Sequence, residues 1–338
     1  MEKMLIDLRS DTVTRPTKEM KEFMFDARVG DDVFDEDPTV KELEEKVAKL
    51  FGKDAALFCP SGTMTNQIAL RVNTQPQDEV ICARYAHIYN YEGGGPAYNS
   101  MVSLRLVDGD KGRLSPSDVL ENINPDDIHF ARTSLVSLEN TVNKGGGCYY
   151  DLNAIKNISQ VARDNGLKMH LDGARVFNAL AETQESPSEY GQYFDTISIC
   201  FSKGLGAPIG SAIIGSADTI KKARRVRKVF GGAMRQVGYL AAAVIYALDN
   251  HVGRLSEDHK RARQLSKMFE SQPYVTGIMP VDTNIVILSI DPEYGASKLL
   301  EELSAKGIMA VPFGKNDIRF VTHLDFTDEM LEHIDSVI

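Results

Sequence analysis

No stretch of this 338-residue sequence is apolar for long enough to span a bilayer, and the opening Met1-Glu2-Lys3-Met4-Leu5-Ile6-Asp7 lacks the apolar core of a signal peptide. No membrane partner is therefore expected. Positive charge is in short supply. The 38 Lys and Arg stand against 48 Asp and Glu, and the formal net charge of -10 argues against a nucleic-acid surface. The basic run from Lys221 to Lys228 falls on a helical pattern and reads as a solvated face. Cysteine is scarce too. Cys59, Cys82, Cys148 and Cys200 show no metal-ligand spacing, and three of them sit in apolar runs, where a reduced buried thiol is the ordinary case. No metal site is expected, and the cytosol is the default compartment. The glycine triplets at Gly93 and Gly145 lack G-x-G-x-x-G spacing, so both read as turns and not as nucleotide loops. Repeats, linkers and low-complexity segments are missing as well.

What is present is the composition of a soluble globular chain, with 43% hydrophobic and 25% charged residues. The length exceeds one ordinary core, so a large domain plus a smaller one is expected. Residues 1 to 30 read as an arm, too irregular for a strand. Asp37-Pro38 reads as an N-cap followed by proline at the first helical position, opening a helix that stops near Gly52. Short apolar runs then alternate with helical patterns. The runs start at Ala55, Glu79, Leu135, Met169, Ser198 and Ser211, and Asp151 caps one of the helices. Such alternation implies a mainly parallel sheet with helices on both faces. From Asp218 to about Ser271 the pattern is helical with few breaks. The remainder gives strands at 285–288, 308–311 and 318–321 around a helix at 299–306, a small α+β layer. The boundary is placed near Asp249, giving domains 1–249 and 250–338.

Two runs end abruptly in ionisable residues and glycine: Met169-His170-Leu171-Asp172-Gly173-Ala174-Arg175, and Ser198-Ile199-Cys200-Phe201-Ser202-Lys203-Gly204. Ligands of open α/β sheets sit beyond the carboxyl ends of such strands. A lysine there can act as a nucleophilic amine, and a carboxylate can hold a heterocyclic nitrogen protonated. Together they suggest a Schiff-base site for pyridoxal phosphate. Taken singly, the bland alternatives are a turn aspartate and a solvated lysine. The strand–Ser61-Gly62-Thr63–helix turn is a natural phosphate cradle, although the same residues also make a good cap without a ligand. His87 lies past another strand end among tyrosines, where a ligand-facing and a packed role are comparable.

These stretches, in this order, resemble the L-threonine aldolases within the aromatic amino acid β-eliminating lyase/threonine aldolase family of fold-type I pyridoxal-phosphate enzymes. The matching segments are DLRSDTVTRPT from Asp7, GDDV from Gly30, SGTM from Ser61, DIHFARTSL from Asp127, LDGARVFNA from Leu171, FSKGLGAPIGS from Phe201, MRQ from Met234 and IRFVTH from Ile318. The resemblance implies an α/β, aspartate aminotransferase-like large domain with a smaller C-terminal α+β domain. It implies retro-aldol cleavage of L-threonine or L-allo-threonine to glycine and acetaldehyde through a Lys203 Schiff base. Asp172 would pair with the pyridine nitrogen, His87 would stack on the ring, and Ser61, Gly62 and Thr63 would hold the phosphate. Ser10, Arg175 and Arg319 would bind the substrate carboxylate, and His129 would lie near the substrate hydroxyl. Lys228 and Arg235 would reach the site from a neighbouring subunit of a tetramer built as a dimer of dimers with shared active sites. Three positions depart from the family pattern: Phe34 in place of tyrosine, Thr65 in place of glycine, and Val142 in place of histidine. They bear on substrate range. Another pyridoxal-phosphate reaction, β-elimination or transamination, is the alternative on the same fold. A Rossmann-like nucleotide binder is the alternative from a different class.

Overall fold

The computed structural model describes residues 4–338. Its strands are β1 (Ile6–Asp7), β2 (Ala55–Cys59), β3 (Glu79–Ala83), β4 (Ser103–Val107), β5 (Thr133–Glu139), β6 (Lys168–Gly173), β7 (Thr196–Cys200), β8 (Ser211–Gly215), β9 (Val275–Ile278), β10 (Ile285–Ile290), β11 (Ile308–Met309), β12 (Val311–Pro312) and β13 (Asp317–Val321). Seven of them form the central sheet in the order β2-β8-β7-β6-β5-β3-β4. All neighbours run parallel except β8, which is antiparallel to both β2 and β7. The central strands β5, β6 and β7 are buried on both faces because helices cover both: residues such as Val136, Leu171 and Ile197 enter the large apolar core, and His170, Asp172, Thr196 and Ser198 bond the helix Gly62–Asn73.

The helix ends follow local chemistry. Asp37 Oδ1 accepts from the N–H groups of Thr39 and Val40, starting the helix Pro38–Leu50, and Gly52 leaves it at φ +60°. Asp151 caps Leu152–Asp164 in the same way. The stretch expected to be helical with few breaks is three helices, Ala217–Val229, Gly238–Asn250 and Leu255–Glu270, and Gly231 at φ +78° makes the first turn between them.

The arm departs from its expected irregularity. β1 pairs in parallel with β11, and the helix Lys18–Phe25 follows, capped by Thr17. A two-residue strand carries no periodicity of its own, so only the partner edge reveals it. Ile6 of β1 and Leu8 just after it enter the apolar core of the small C-terminal layer. That layer is the antiparallel sheet β12-β13-β10-β9 with helices on one face. The helix Leu255–Glu270 bridges the two bodies: Leu255 packs in the large core, and Ala262, Leu265 and Phe269 pack in the small one.

Candidate active site

Parallel neighbours align their carboxyl ends, and here the alignment assembles a site. Asp172 on β6 is in register with Glu139 on β5 and with Ser198 on β7. Lys203 lies in the turn beyond β7, and the arm steadies that turn through Thr14 Oγ1, which donates to the Lys203 carbonyl at 3.0 Å. Across from these strand ends the helix Gly62–Asn73 points its N-terminus inward. Ser61 Oγ accepts from Met64 N–H and the Ser61 carbonyl takes Thr65 N–H, which leaves the N–H groups of Gly62 and Thr63 for a ligand. A cavity of about 180 Å³ is lined by these groups together with His87, Asp172, Arg175 and Lys203. A second cavity of about 360 Å³ adjoins it, sharing His87, Asn143, Arg175 and Lys203 and adding Ser10, Tyr91, Phe313 and Arg319.

The two arginines are in different states. Arg175 is buried and its fork is committed: Nε and Nη2 each donate to Asp11 at 2.7 Å. Asp11 is fully buried, and despite that burial the Arg175 guanidinium holds its carboxyl well below the usual range, with help from Lys203 and Asn284. Arg319 meets only neutral acceptors, Asn143 Oδ1 at 2.9 Å and the Arg9 carbonyl at 3.0 Å, and its Nε is buried with no partner among the described residues. Burial, followed by the Arg175 charge, holds it below the ordinary arginine range, although Asp11 pulls the other way.

Beneath His87 lies a buried polar network that the sequence reading did not include. Asn66 Nδ2 donates to Asp172 Oδ2 and to Glu92 Oε1, both at 2.8 Å, and His87 Nδ1 also lies 2.8 Å from Glu92 Oε1. Ligand atoms of His87, Glu92 and Asp172 therefore lie within 4.8 Å of one another, a spacing a metal could use, but the Asn66 amide already bridges the two carboxylates. Glu139 accepts the N–H groups of His87 and Asn143, so one side chain fixes residues of both cavities. Burial and then the Asp172 charge push the Glu139 carboxyl above its ordinary range, against those two hydrogen bonds. One signal in the sequence could have found Asn66: it stands four residues after Gly62, on the same helix face. Nothing local marks Glu92 or Asp11, whose burial is a tertiary fact.

Some expected site residues stay apart. His129 is 79% exposed on the loop before β5 and pairs with Asp127. Lys228 is exposed near the end of its helix, and Arg235 pairs with Asp31 and lies over the exposed ring of Phe34. None of the three lines either cavity of its own chain. Of the departures, Thr65 is buried and packs its hydroxyl 2.5 Å from Ser198 Oγ, and Val142 is buried beneath the turn at Gly145.

The model of the beta-eliminating lyase family matches residues 7–293. The low specificity L-threonine aldolase of Escherichia coli strain K12 is 43% identical over 333 residues, 98% of this chain and 97% of that protein. The probable low-specificity L-threonine aldolase 2 of Arabidopsis thaliana is 39% identical over 97% of this chain and 95% of its own. The threonine aldolase structure from Leishmania major superposes with a TM-score of 0.83 at 21% identity, covering 98% of each chain, and so shares the fold. With most of its length matched by the family model, and such identity over nearly all of it, the chain belongs to the beta-eliminating lyase family, among the low-specificity L-threonine aldolases.

Proposed function

We propose that this chain cleaves L-threonine or L-allo-threonine to glycine and acetaldehyde by a retro-aldol reaction, with pyridoxal 5'-phosphate as its cofactor. The observation that carries the reading is the pair of adjoining cavities with Lys203 and Asp172 at neighbouring strand ends. The donor set fits the cofactor. The helix N-terminus has N–H groups to spare for a phosphate, Thr141 Oγ1 is buried without a partner among the described residues, and a lysine and a carboxylate share the same cavity.

Pyridoxal phosphate, when bound, supplies an electron sink for charge left at the substrate Cα. The chain supplies the rest. Lys203 Nζ would attach the cofactor, Asp172 would favour the protonated ring nitrogen, and His87 would pack against the ring. Gly62 and Thr63 N–H groups with Ser61 would hold the phosphate. Arg319 and Ser10, in the second cavity, hold the substrate carboxylate, while Arg175, already bound to Asp11, borders both cavities. Fixing the carboxylate selects which bond at Cα is aligned to break. His87 lines both cavities and its Nε2 takes the β-hydroxyl proton as the Cα–Cβ bond opens. Lys228 and Arg235 complete the site of a neighbouring copy in a homo-oligomer.

The test is direct. The purified protein is yellow and is bleached by borohydride, and Lys203→Ala loses both the colour and the activity. Incubation with threonine, allo-threonine, serine and phenylserine releases aldehyde and glycine. Release of a 2-oxoacid and ammonia in place of aldehyde would sink the aldolase reading in favour of β-elimination.

A further inference from the structure

His87 has only one ring nitrogen free, and the reason lies behind it. Glu92 has a fully buried side chain that neither the sequence motifs nor the two cavities include. Its oxygens are held from three sides: Oε1 by Asn66 Nδ2 and by His87 Nδ1, each at 2.8 Å, and Oε2 by Gln67 Nε2 at 2.5 Å. Asn66 is itself locked. Its amide hydrogens go to Glu92 and Asp172, and its Oδ1 lies 3.1 Å from His170 Nε2. His170 is fully buried, and burial pulls its pKa down to about 4, so the ring is neutral. The two carboxylates only accept, so they fix the Asn66 amide and turn its Oδ1 to His170. That oxygen also only accepts, so His170 Nε2 carries the proton and Nδ1 accepts from the Thr196 hydroxyl at 3.0 Å, with the Thr196 carbonyl at 3.2 Å.

We infer that Glu92 is a positioning residue of the reaction: it holds the proton on His87 Nδ1, leaves Nε2 to exchange a proton with the substrate, and stabilises the imidazolium that results. This is the role an orienting carboxylate plays behind a general base. The groups around the ring agree with it. Besides Glu92 they are the carboxylates of Asp172 and Glu139, the Tyr91 ring at 5.5 Å, and Lys203, Arg175 and Arg319 along the cavities. Burial disfavours the imidazolium, but the Glu92 hydrogen bond and the three carboxylates outweigh it, and His87 lies above its ordinary value. Asn66 keeps the Glu92 and Asp172 carboxylates from facing each other bare, because each receives one hydrogen of the same amide.

The inference rests on the proposed cleavage for its kinetic arm only. Full-length protein labelled with ¹³C at histidine Cε1 reports the titration of His87 directly, assigned by His87→Asn. In the unsubstituted protein His87 should titrate above the ordinary histidine value, and a value at or below it would overturn the inference without any variant. Glu92→Gln keeps the shape and removes the charge, so the His87 midpoint should fall by about one unit or more. Glu92→Asp keeps the charge and should recover part of that fall. For threonine cleavage, Glu92→Gln should lower kcat by about a hundredfold and move the acid limb of kcat/KM to lower pH. A packing role alone would lower activity and leave the titration and the limb in place, which would refute the inference. Should wild type not cleave threonine at all, the functional reading fails while the titration still decides the role of Glu92.

Discussion

At the scale of single residues, the sequence assigned two arginines to one carboxylate, and the structure separates them. Arg175 already faces Asp11 with Nε and Nη2, whereas Arg319 is a half-buried cation with neutral partners and a buried Nε that has no partner among the described residues. A cation held this way costs desolvation energy and gains most from an incoming anion. Arg319 should therefore dominate substrate-carboxylate binding. Arg319→Lys keeps the charge but loses the planar pair of donors. We expect kcat/KM for threonine to fall roughly tenfold to a hundredfold, the equivalent of about 1.5–3 kcal/mol, mainly through KM. Cofactor absorbance should stay intact, because Arg319 lines only the outer of the two cavities. Steady-state kinetics with unchanged KM and kcat would remove Arg319 from the substrate site.

At the scale of elements, the cofactor end of the site depends on how closely the helix Gly62–Asn73 approaches β7. A Cβ at Gly62 would meet Cys200 Sγ at 2.5 Å, and Cys200 is buried at the end of β7. Gly62→Ala therefore forces either the Cys200 side chain or the helix N-terminus to move, and a shift of the helix misplaces the two spare N–H groups. Overpacking of this kind costs about 1–3 kcal/mol. We expect the apparent Kd for pyridoxal phosphate to rise about tenfold or more by absorbance titration, with the circular dichroism of the fold retained; unaltered affinity would mean that these donors do not hold the phosphate. Much at this scale was legible in the sequence, because it is written locally. The caps at Asp37 and Asp151, the strand ends at Asp172 and Lys203, and the Ser61 turn all follow from neighbouring residues. The direction of β8 was legible in principle: ten residues, 201–210, separate it from β7, too few for a parallel crossover. The pairing of β1 with β11 and the burial of Glu92 and Asp11 were not legible. β1 and Asp11 depend on partners far along the chain, Glu92 depends on a helix that reaches it only in the fold, and none leaves a periodicity behind.

At the scale of the whole molecule, the arm straps the two bodies together. Asp11 bonds Arg175 of the large body and Asn284 of the small layer, and β1 pairs with β11, so the arm residues from Ile6 to Thr12 run along the outer cavity, where Ser10 and Thr12 line it. Lys228 and Arg235 line neither cavity of their own chain, and in the proposed homo-oligomer they would reach the site of a neighbouring copy. Both project from a face where Phe34 is 70% and Val229 is 83% exposed, a surface suited to burial against a second copy. Sharing of sites between subunits can be tested by complementation. Lys203→Ala disables the site of its own chain, and Arg235→Ala would damage the site of the neighbour. Each homo-oligomer should be nearly inactive. In a hybrid pair, one site would receive Lys203 from one chain and Arg235 from the other, and would be whole. If the two variants are unfolded, mixed in equal amounts and refolded, half of the pairs are hybrids with one intact site of two, so about a quarter of wild-type activity should return. An Arg235 that acts within its own chain, through Asp31, would give no recovery on mixing, and full activity of Arg235→Ala alone would remove it from the site altogether.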